Sequence, residues 1–208
     1  MIMLNHKHLF WILIVFFGLY ADAYEPKEGS ITTLIGPFAY RTIFPDNAAG
    51  ASSKIQGDGA IIINGDINSK GSLEIAIMHM RKMYFCDDGK NSIVEASQLM
   101  HIGMGYRRWI SSYFSVAAAF YSAYPLDEAQ IIHSDFLPGN EIATSAHDKT
   151  EYGIDISLQH QLWGTEKMSV ILDARYGLSI TNLSREKGDH YGLILGIKFL
   201  IQEKKFEN

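Results

Sequence analysis

The sequence predicts an all-β fold, an eight-stranded antiparallel transmembrane β-barrel that follows a cleavable N-terminal signal peptide. Three observations predict this fold: apolar and polar residues alternate along the last third of the chain, short and long connections alternate between the segments, and an export signal precedes them. Segments of roughly ten residues with a period of two are typical of membrane-spanning barrel strands, because successive side chains point to opposite faces.

The export signal is predicted over residues 1–23. Lys7 lies in a weakly basic start, residues 9–20 form an apolar run, and Ala21-Asp22-Ala23 is a small-x-small cleavage site. An uncleaved anchor is the alternative, but the run is shorter than the roughly 20 apolar residues of a transmembrane helix. We therefore predict that the mature chain, residues 24–208, forms a single barrel domain.

The composition excludes several classes of protein. Cys86 is the only cysteine, so no disulfide forms within the chain. The net charge of -5 and the lack of a basic stripe argue against nucleic acid as a partner. The mean hydropathy is close to zero, which is ordinary for a barrel because half of each strand faces a polar lumen.

The alternation divides the mature chain into eight strands. They cover residues 31–44, 54–64, 72–85, 93–109, 112–124, 151–163, 167–180 and 190–202. The third strand is ambiguous, since its apolar residues change face between Ile75 and Met78, and a β-bulge near Ile77 would reconcile them. Pro37 within the first strand removes a hydrogen-bond donor from the ladder.

The connections support this division. Short connections at residues 66–71, 110–111 and 164–166 alternate with mostly longer ones, at residues 45–53, 86–92, 125–150 and 181–189. Outer-membrane barrels place short turns in the periplasm and longer loops outside, so both termini are expected in the periplasm.

A soluble secreted barrel of the lipocalin type is the structural alternative, with its apolar face turned inward around a ligand. In the sixth strand Ile154 and Ile156 share one face, and Gly153 and Asp155 the other. The polar faces carry many small residues, which suit a cramped lumen, whereas a soluble exterior usually carries more Lys and Glu. The membrane barrel is therefore favoured.

Aromatic residues lie close to the predicted strand ends. Such residues form girdles where a barrel meets the lipid interfaces. The residues expected to contact outer-membrane lipid in this way are Trp109, Tyr124, Tyr152, Tyr191 and Phe199.

The signal ending at Ala23, the alternating strands of residues 100–201 and above all the final strand, residues 191–199, resemble the small outer-membrane β-barrels of Gram-negative bacteria, of the OmpA, OmpX and OmpW kind. The resemblance covers most of the mature chain as a pattern rather than a motif. It implies a location in the outer membrane and a barrel-assembly machinery that reads a terminal aromatic residue. Residues 200–208 follow Phe199 here, so Phe199 and Phe206 both remain candidates.

Six charged or titratable residues fall on the predicted lumen face. Counting from the hairpin turns places Asp155 opposite Arg175 and Asp173 opposite Lys198, and such neighbours have Cβ atoms about 5 Å apart. Unpaired charges are costly in a narrow lumen, so an ion-pair network is expected. We interpret it as structural; a charge-lined pathway is the alternative. The six residues are His101, Arg107, Asp155, Asp173, Arg175 and Lys198.

No catalytic or metal site is expected, and no cofactor. His133-Ser134-Asp135 are adjacent in sequence, but neighbouring side chains on an extended segment point apart. His160 on the lipid face lacks a matching serine, the histidines lack metal-ligand spacing, and residues 87–91 lack the distal ligands of a calcium loop.

The expected function is a non-catalytic structural or surface-interaction role. The loop that begins at Pro125 and ends at Thr150 mixes acidic residues with Ile131 and Ile132, and is the best place for a surface partner. A loop folded over the barrel mouth is the alternative there. Two other classes of function stay open: passive transport of small or apolar solutes, and lipid modification by an outer-membrane enzyme.

Overall fold

The computed structural model describes residues 25–43, 54–137, 149–165, 167–181 and 188–203. The predicted signal peptide, residues 1–23, and the predicted first mature residue, Tyr24, lie outside these ranges. The strands are β1 (Ile31–Thr42), β2 (Gln56–Asn68), β3 (Gly71–Asp87), β4 (Ser92–Trp109), β5 (Phe114–Pro125), β6 (Gln130–Ser134), β7 (Glu151–Gly164), β8 (Met168–Ser179) and β9 (His190–Gln202).

Eight of these strands close into an antiparallel barrel, which confirms the predicted fold class. Neighbours pair in the order β1, β2, β3, β4, β5, β7, β8, β9, and β9 pairs with β1 to complete the circle. Closure leaves no free edge in the barrel wall, which a protein in lipid requires for its backbone hydrogen bonds. No helix in the described ranges is long and apolar enough to cross a membrane.

The apolar face of the wall points outward. In β7, Ile154, Ile156 and Leu158 are exposed, whereas Asp155 and Ser157 are buried. This orientation is the reverse of a soluble ligand-carrying barrel, whose apolar face would turn inward. Lipid is therefore the solvent that matches the exterior.

The strands β1, β2 and β3 differ, because they place apolar residues on both faces. Ile62 and Met78 are fully buried in the lumen, while their neighbours Ile61 and Ile77 face outward. The predicted bulge near Ile77 is wrong: the β2–β3 and β3–β4 registers pass through Ile77 without a shift. The apolar residues change face there because the lumen itself is apolar beside β3.

The observed bounds differ most from the predicted ones in β2, which runs to Asn68 rather than residue 64. Pro37 lies within β1 as expected. The β1–β9 ladder omits it between the pairs Ile35↔Ile197 and Phe38↔Ile194, since proline has no N–H to donate.

At one end of the barrel the connections are short, at residues 69–70, 110–113 and 165–167. At the opposite, long-loop end, β3 and β4 continue beyond the wall. The β2–β3 ladder stops at Ala60↔Met78, yet the β3–β4 ladder continues to Asp87↔Ser92. At about 3.3 Å per residue, residues 79–87 extend roughly 30 Å along the strand.

The strand β6 pairs with β4 in this projecting part, from Ile93↔Ser134 to Ala96↔Gln130. Residues 130–134 were predicted as part of a loop, so β6 is a correction. Its apolar pair, Ile131 and Ile132, is adjacent rather than alternating, and the period of a strand is therefore hidden in the sequence. We call residues 79–87, 92–98 and 130–134 together the extension.

Candidate functional site

The lumen has an ionic half and an apolar half. The ionic half is carried by β3, β4, β7 and β8 and consists of Glu74, His101, Arg107, Asp155, Asp173 and Arg175. The apolar half is carried mainly by β1, β2, β3 and β9 and consists of Leu34, Phe38, Tyr40, Ala60, Ile62, Met78, Met80 and Ile194. All of these side chains are buried, so the barrel interior is packed rather than open.

Arg107 is the hub of the ionic half. Its Nε donates to Glu74 Oε2 at 2.6 Å, and its Nη1 donates to Ser115 Oγ at 2.9 Å. Its Nη2 donates to Ser157 Oγ at 2.8 Å and to Asp173 Oδ2 at 3.2 Å. One guanidinium thus links four strands, β3, β5, β7 and β8, to β4, which is the use to which the fixed fork of an arginine is suited.

Arg175 joins the same carboxylates from β8. Its Nη2 donates to Glu74 Oε1 at 3.0 Å, its Nε lies 3.4 Å from Asp173 Oδ1, and its Nη1 lies 3.5 Å from Asp155 Oδ2. The predicted register was wrong, however: Arg175 lies opposite Ser157, and Asp155 lies opposite Gly177. Because β7 continues to Gly164, the turn lies farther along the chain than the alternation indicated.

Lys198 lies outside the network, although it was expected opposite Asp173. The β8–β9 register pairs Lys198 with Ser169, and Asp173 with Ile194. The ammonium of Lys198 lies 4.5 Å from the centre of the Trp109 ring, near the short-turn end of the lumen. The β8–β9 pairs place the centre of the connection earlier in the chain than the count from the sequence did.

Trp109 was expected in a lipid-facing girdle, and that prediction is wrong. It is only 7% exposed, and its indole Nε1–H donates to Ser72 Oγ at 3.1 Å inside the barrel. The reason is the period of two: Trp109 is an even number of residues from Arg107, which faces the lumen. The other four aromatics do face outward, namely Tyr124, Tyr152, Tyr191 and Phe199.

His101 connects the network to a second charged cluster at the long-loop end. Its Nε2 lies 2.8 Å from Asp155 Oδ2, and its ring stacks on Tyr121 with centroids 4.2 Å apart. The Tyr121 hydroxyl donates to Glu151 Oε1 at 2.6 Å, and Lys82 Nζ donates to the same oxygen at 2.5 Å. Every one of these groups is buried.

Sequence reasoning missed Glu74, Lys82 and Glu151. Glu74 and Lys82 lie on β3, whose faces were ambiguous because the lumen beside it is apolar. Glu151 is the first residue of β7, where alternation has not yet begun. The signal in the sequence was that Glu74 lies between Leu73 and Ile75, which share the opposite face, and Lys82 is an even number of residues from Glu74.

Side chains rather than backbone close the wall between β2 and β3 above Met78. The Tyr40 hydroxyl donates to Asp58 Oδ2 at 2.7 Å and accepts the backbone N–H of Arg81. His79 Nδ1 lies 2.8 Å from Asp58 Oδ1. We call Tyr40, Asp58, His79 and Arg81 the seam.

The extension has its own buried apolar cluster, formed by Met83, Phe85, Val94 and Ala96. The Ser92 hydroxyl donates to Asp135 Oδ2 at 2.7 Å and lowers the pKa of that carboxyl from its usual value. His133 Nε2 lies 3.2 Å from Asp135, but Ser134 Oγ accepts the backbone N–H of Phe136 instead of joining them. These three neighbours form no nucleophilic triad.

In the part of the chain that the structure describes, no group of three His, Cys, Asp or Glu residues has the arrangement to hold a metal ion. Cys86, the only cysteine in the sequence, is buried in the extension.

Solved structures with a similar fold are outer-membrane proteins. OprG from Pseudomonas aeruginosa overlays with a TM-score of 0.51 at 10% identity, over 88% of this chain and 100% of that one. Ail, the attachment invasion locus protein of Yersinia pestis, overlays at 0.47 and 12% identity, over 83% and 99%. The outer membrane protein AlkL overlays at 0.44 and 10% identity, over 91% and 98%.

No protein-family model matches the sequence, and no curated protein sequence matches it either. The likeness to OprG, at this level of identity, concerns the fold. Together with the closed eight-stranded wall, it establishes that this chain has the fold of a small outer-membrane β-barrel, as the resemblance of the sequence implied.

Proposed function

We propose that this protein is a non-catalytic, non-conducting barrel of the Gram-negative outer membrane, exported through its N-terminal signal peptide, whose extension presents a contact surface outside the cell. The observation that carries the proposal is the contrast between a filled lumen and strands that project beyond the wall. The orientation follows from the turns, because outer-membrane barrels place their short turns in the periplasm.

The filled lumen argues against a pore. Arg107 and Arg175 cross it to reach Glu74 and Asp173, and Met78 and other apolar side chains occupy the opposite half. An eight-stranded barrel has an interior just wide enough for its own side chains. Moving a buried, paired arginine aside to open a path would leave carboxylates unpaired at a high cost.

The extension offers features that suit a partner. Ile131 and Ile132 on β6 are 48% and 50% exposed, and nearby Leu126 is also exposed. Within the described ranges β6 pairs only with β4, so its second edge offers backbone groups to an added strand. The partner proposed is a protein with an extended, apolar segment at the surface of another cell or molecule.

Adherence measures the contact role. Bacteria that express the protein are tested on a panel of immobilised extracellular-matrix proteins, and replacement of Ile131 and Ile132 by Lys is expected to reduce adherence to one of them. Replacement of the lipid-facing Leu193 and Leu195 by Val is the control, since it leaves the extension intact. Adherence of wild-type cells equal to that of cells without the protein would refute the contact role.

Conductance measures the filled lumen. In planar bilayers the refolded protein is expected to add no discrete steps to the bare bilayer current. Arg107→Ala, which removes one of the side chains that fill the lumen, is the positive control. Stepwise currents from the wild type would refute a sealed lumen. Heat-dependent migration in SDS gels verifies in each sample that the barrel is folded.

The seam favours a second function, passive passage of apolar solutes through the side of the wall. Between β2 and β3 the backbone ladder stops at Ala60↔Met78, and only side chains join Tyr40, Asp58 and His79 above it. Uptake of an apolar dye by vesicles tests this function. A disulfide between cysteines placed at Asp58 and His79 is expected to lower uptake, and reduction is expected to restore it; equal uptake in both states would eliminate this function.

A further inference from the structure

The outer wall carries an apolar depression of about 730 Å³, which spans β5, β7, β8, β9 and β1. Its volume lies within the roughly 300–1,000 Å³ of ordinary small-molecule sites. The residues that shape it are Ala39, Arg41, Leu158, Ala174, Tyr191 and Leu193.

The strand register explains why the wall is hollow there. Ala174 lies between Leu158 and Leu193 in one cross-strand row. Ala39 continues that row beyond Leu193. Because two positions in the row carry only a methyl group, the neighbouring leucines stand above them as walls, and the floor is the sheet itself.

The next row toward the long-loop end closes the depression with polar tips. Tyr176 lies opposite Tyr191, and Tyr191 lies opposite Arg41. Arg41 is exposed, and no described residue forms an ion pair or hydrogen bond with its guanidinium. A planar, unpaired guanidinium at an interface is suited to a phosphate group. On the opposite side of the same row the Tyr176 hydroxyl donates to Asp189 Oδ2 at 3.2 Å, so the rim also carries one carboxylate, and a phosphate fits on the Arg41 side. The depression therefore combines an apolar floor with a polar rim whose cation is Arg41.

An apolar floor below a rim that carries Arg41 matches a lipid with acyl chains and a phosphate group. With the long loops outside, the rim lies at the outer interface, where Tyr176 and Tyr191 belong to the aromatic girdle. The outer leaflet of a Gram-negative outer membrane consists mainly of lipopolysaccharide, whose membrane anchor, lipid A, is a phosphorylated glycolipid with several acyl chains. We propose that the depression binds one lipid A molecule, with an acyl chain on the floor formed by Ala39 and Ala174 and a phosphate on Arg41.

The proposal rests on the orientation given under the proposed function and not on the contact role of the extension. Loss of adherence after changes at Ile131 and Ile132, and loss of lipid binding after changes at Arg41, are measured separately, so each can fail while the other stands. Ordinary lipid solvation is the competing explanation, and it differs in one respect: it does not saturate at one molecule per barrel.

Native mass spectrometry of protein refolded without lipid, titrated with purified lipid A in detergent, tests the proposal. The wild type is expected to bind one lipid A saturably, and Arg41→Gln is expected to weaken binding about tenfold, as the loss of one charge-assisted contact does. Lipid A without its phosphates is expected to bind the wild type as weakly as intact lipid A binds Arg41→Gln.

A second variant tests the floor. Ala174→Leu fills the depression and is expected to weaken binding at least tenfold. Its control is Thr33→Leu, on the same lipid-facing surface but outside the depression, and the control for Arg41 is Arg108→Gln at the short-turn end. Both controls are expected to stay within about twofold of the wild type. Heat-dependent gel migration verifies the fold of each variant.

Three results would overturn the proposal. The first is binding that rises without saturating, which indicates lipid solvation alone. The second is equal affinity for phosphatidylglycerol and lipid A, which indicates a phospholipid groove. The third is an unchanged affinity in both Arg41→Gln and Ala174→Leu.

Discussion

The ionic and apolar halves of the lumen fill the same barrel by opposite means. On one side Arg107 and Arg175 bridge strands through carboxylates at 2.6–3.5 Å. On the other side Leu34, Phe38 and Ile62 pack without any polar contact between them. The difference teaches that sealing a lumen requires volume, whereas charge adds a requirement for partners in fixed positions.

The two halves should therefore fail differently. Removing an apolar side chain leaves a cavity, whose cost is graded by the atoms lost. Removing a charged side chain leaves its partners buried and uncompensated. The loss of free energy of unfolding is then larger, because the low-dielectric interior does not screen the remaining charges. Pairs of adjacent residues that face opposite sides of the wall provide matched tests.

The largest effect is expected for Arg107→Ala. Glu74 and Asp173 then lose their hub, and the free energy of unfolding should fall by about 3–5 kcal/mol. Urea unfolding of the barrel in lipid vesicles measures it. Arg108→Ala is the control, because the side chain of Arg108, the next residue, is exposed on the outer face. A change within about 0.5 kcal/mol is expected for it. Equal losses in the two variants would contradict a paired network.

Ile62→Ala tests the apolar half. The side chain is fully buried, so its removal should lower the free energy of unfolding by about 2–4 kcal/mol. Ile61→Ala, on the next residue and facing lipid at 40% exposure, should cost less than half as much. A cost of Ile62→Ala above that of Arg107→Ala, measured in the same vesicles, would contradict the larger penalty expected for an unpaired buried charge.

Tyr40→Phe addresses the seam, the polar edge of the apolar half, and should have the smallest effect. It removes one hydroxyl that both donates to Asp58 and accepts from the Arg81 N–H, so a loss of about 1–2 kcal/mol is expected in the same urea titration. Tyr191→Phe is the control, since that hydroxyl makes no hydrogen bond within the described residues. No difference between the two variants would mean that the seam contributes nothing to stability.

The comparison also explains which strands were predictable. In β7 the polar face carries Asp155 and Ser157 and the outer face carries Ile154 and Ile156, so the period of two is visible in the sequence. In β3 both faces carry apolar residues, since Met78 and Met80 fill the lumen while Ile75 and Ile77 meet lipid. A period vanishes where both environments select the same residue types.

The candidate site was predictable in its members more than in its pairs. That Arg107, Asp155, Asp173 and Arg175 face the lumen follows from parity, which each strand carries by itself. Their partners depend on the register between strands, and register is set by where each turn closes. A turn displaced by one residue moves every partner by two, which is why Arg175 meets Ser157 across the ladder rather than Asp155.

The sequence by itself determined the eight strands of the barrel wall, the outward apolar face and the buried position of the central charges, because alternation is local and each strand expresses it independently. Only the tertiary structure decided that Glu74 joins Arg107, that Trp109 lies beside Lys198 in the lumen, and that two alanines form one depression. Each of these depends on the relative position of distant strands, which the closed barrel sets and no single segment contains.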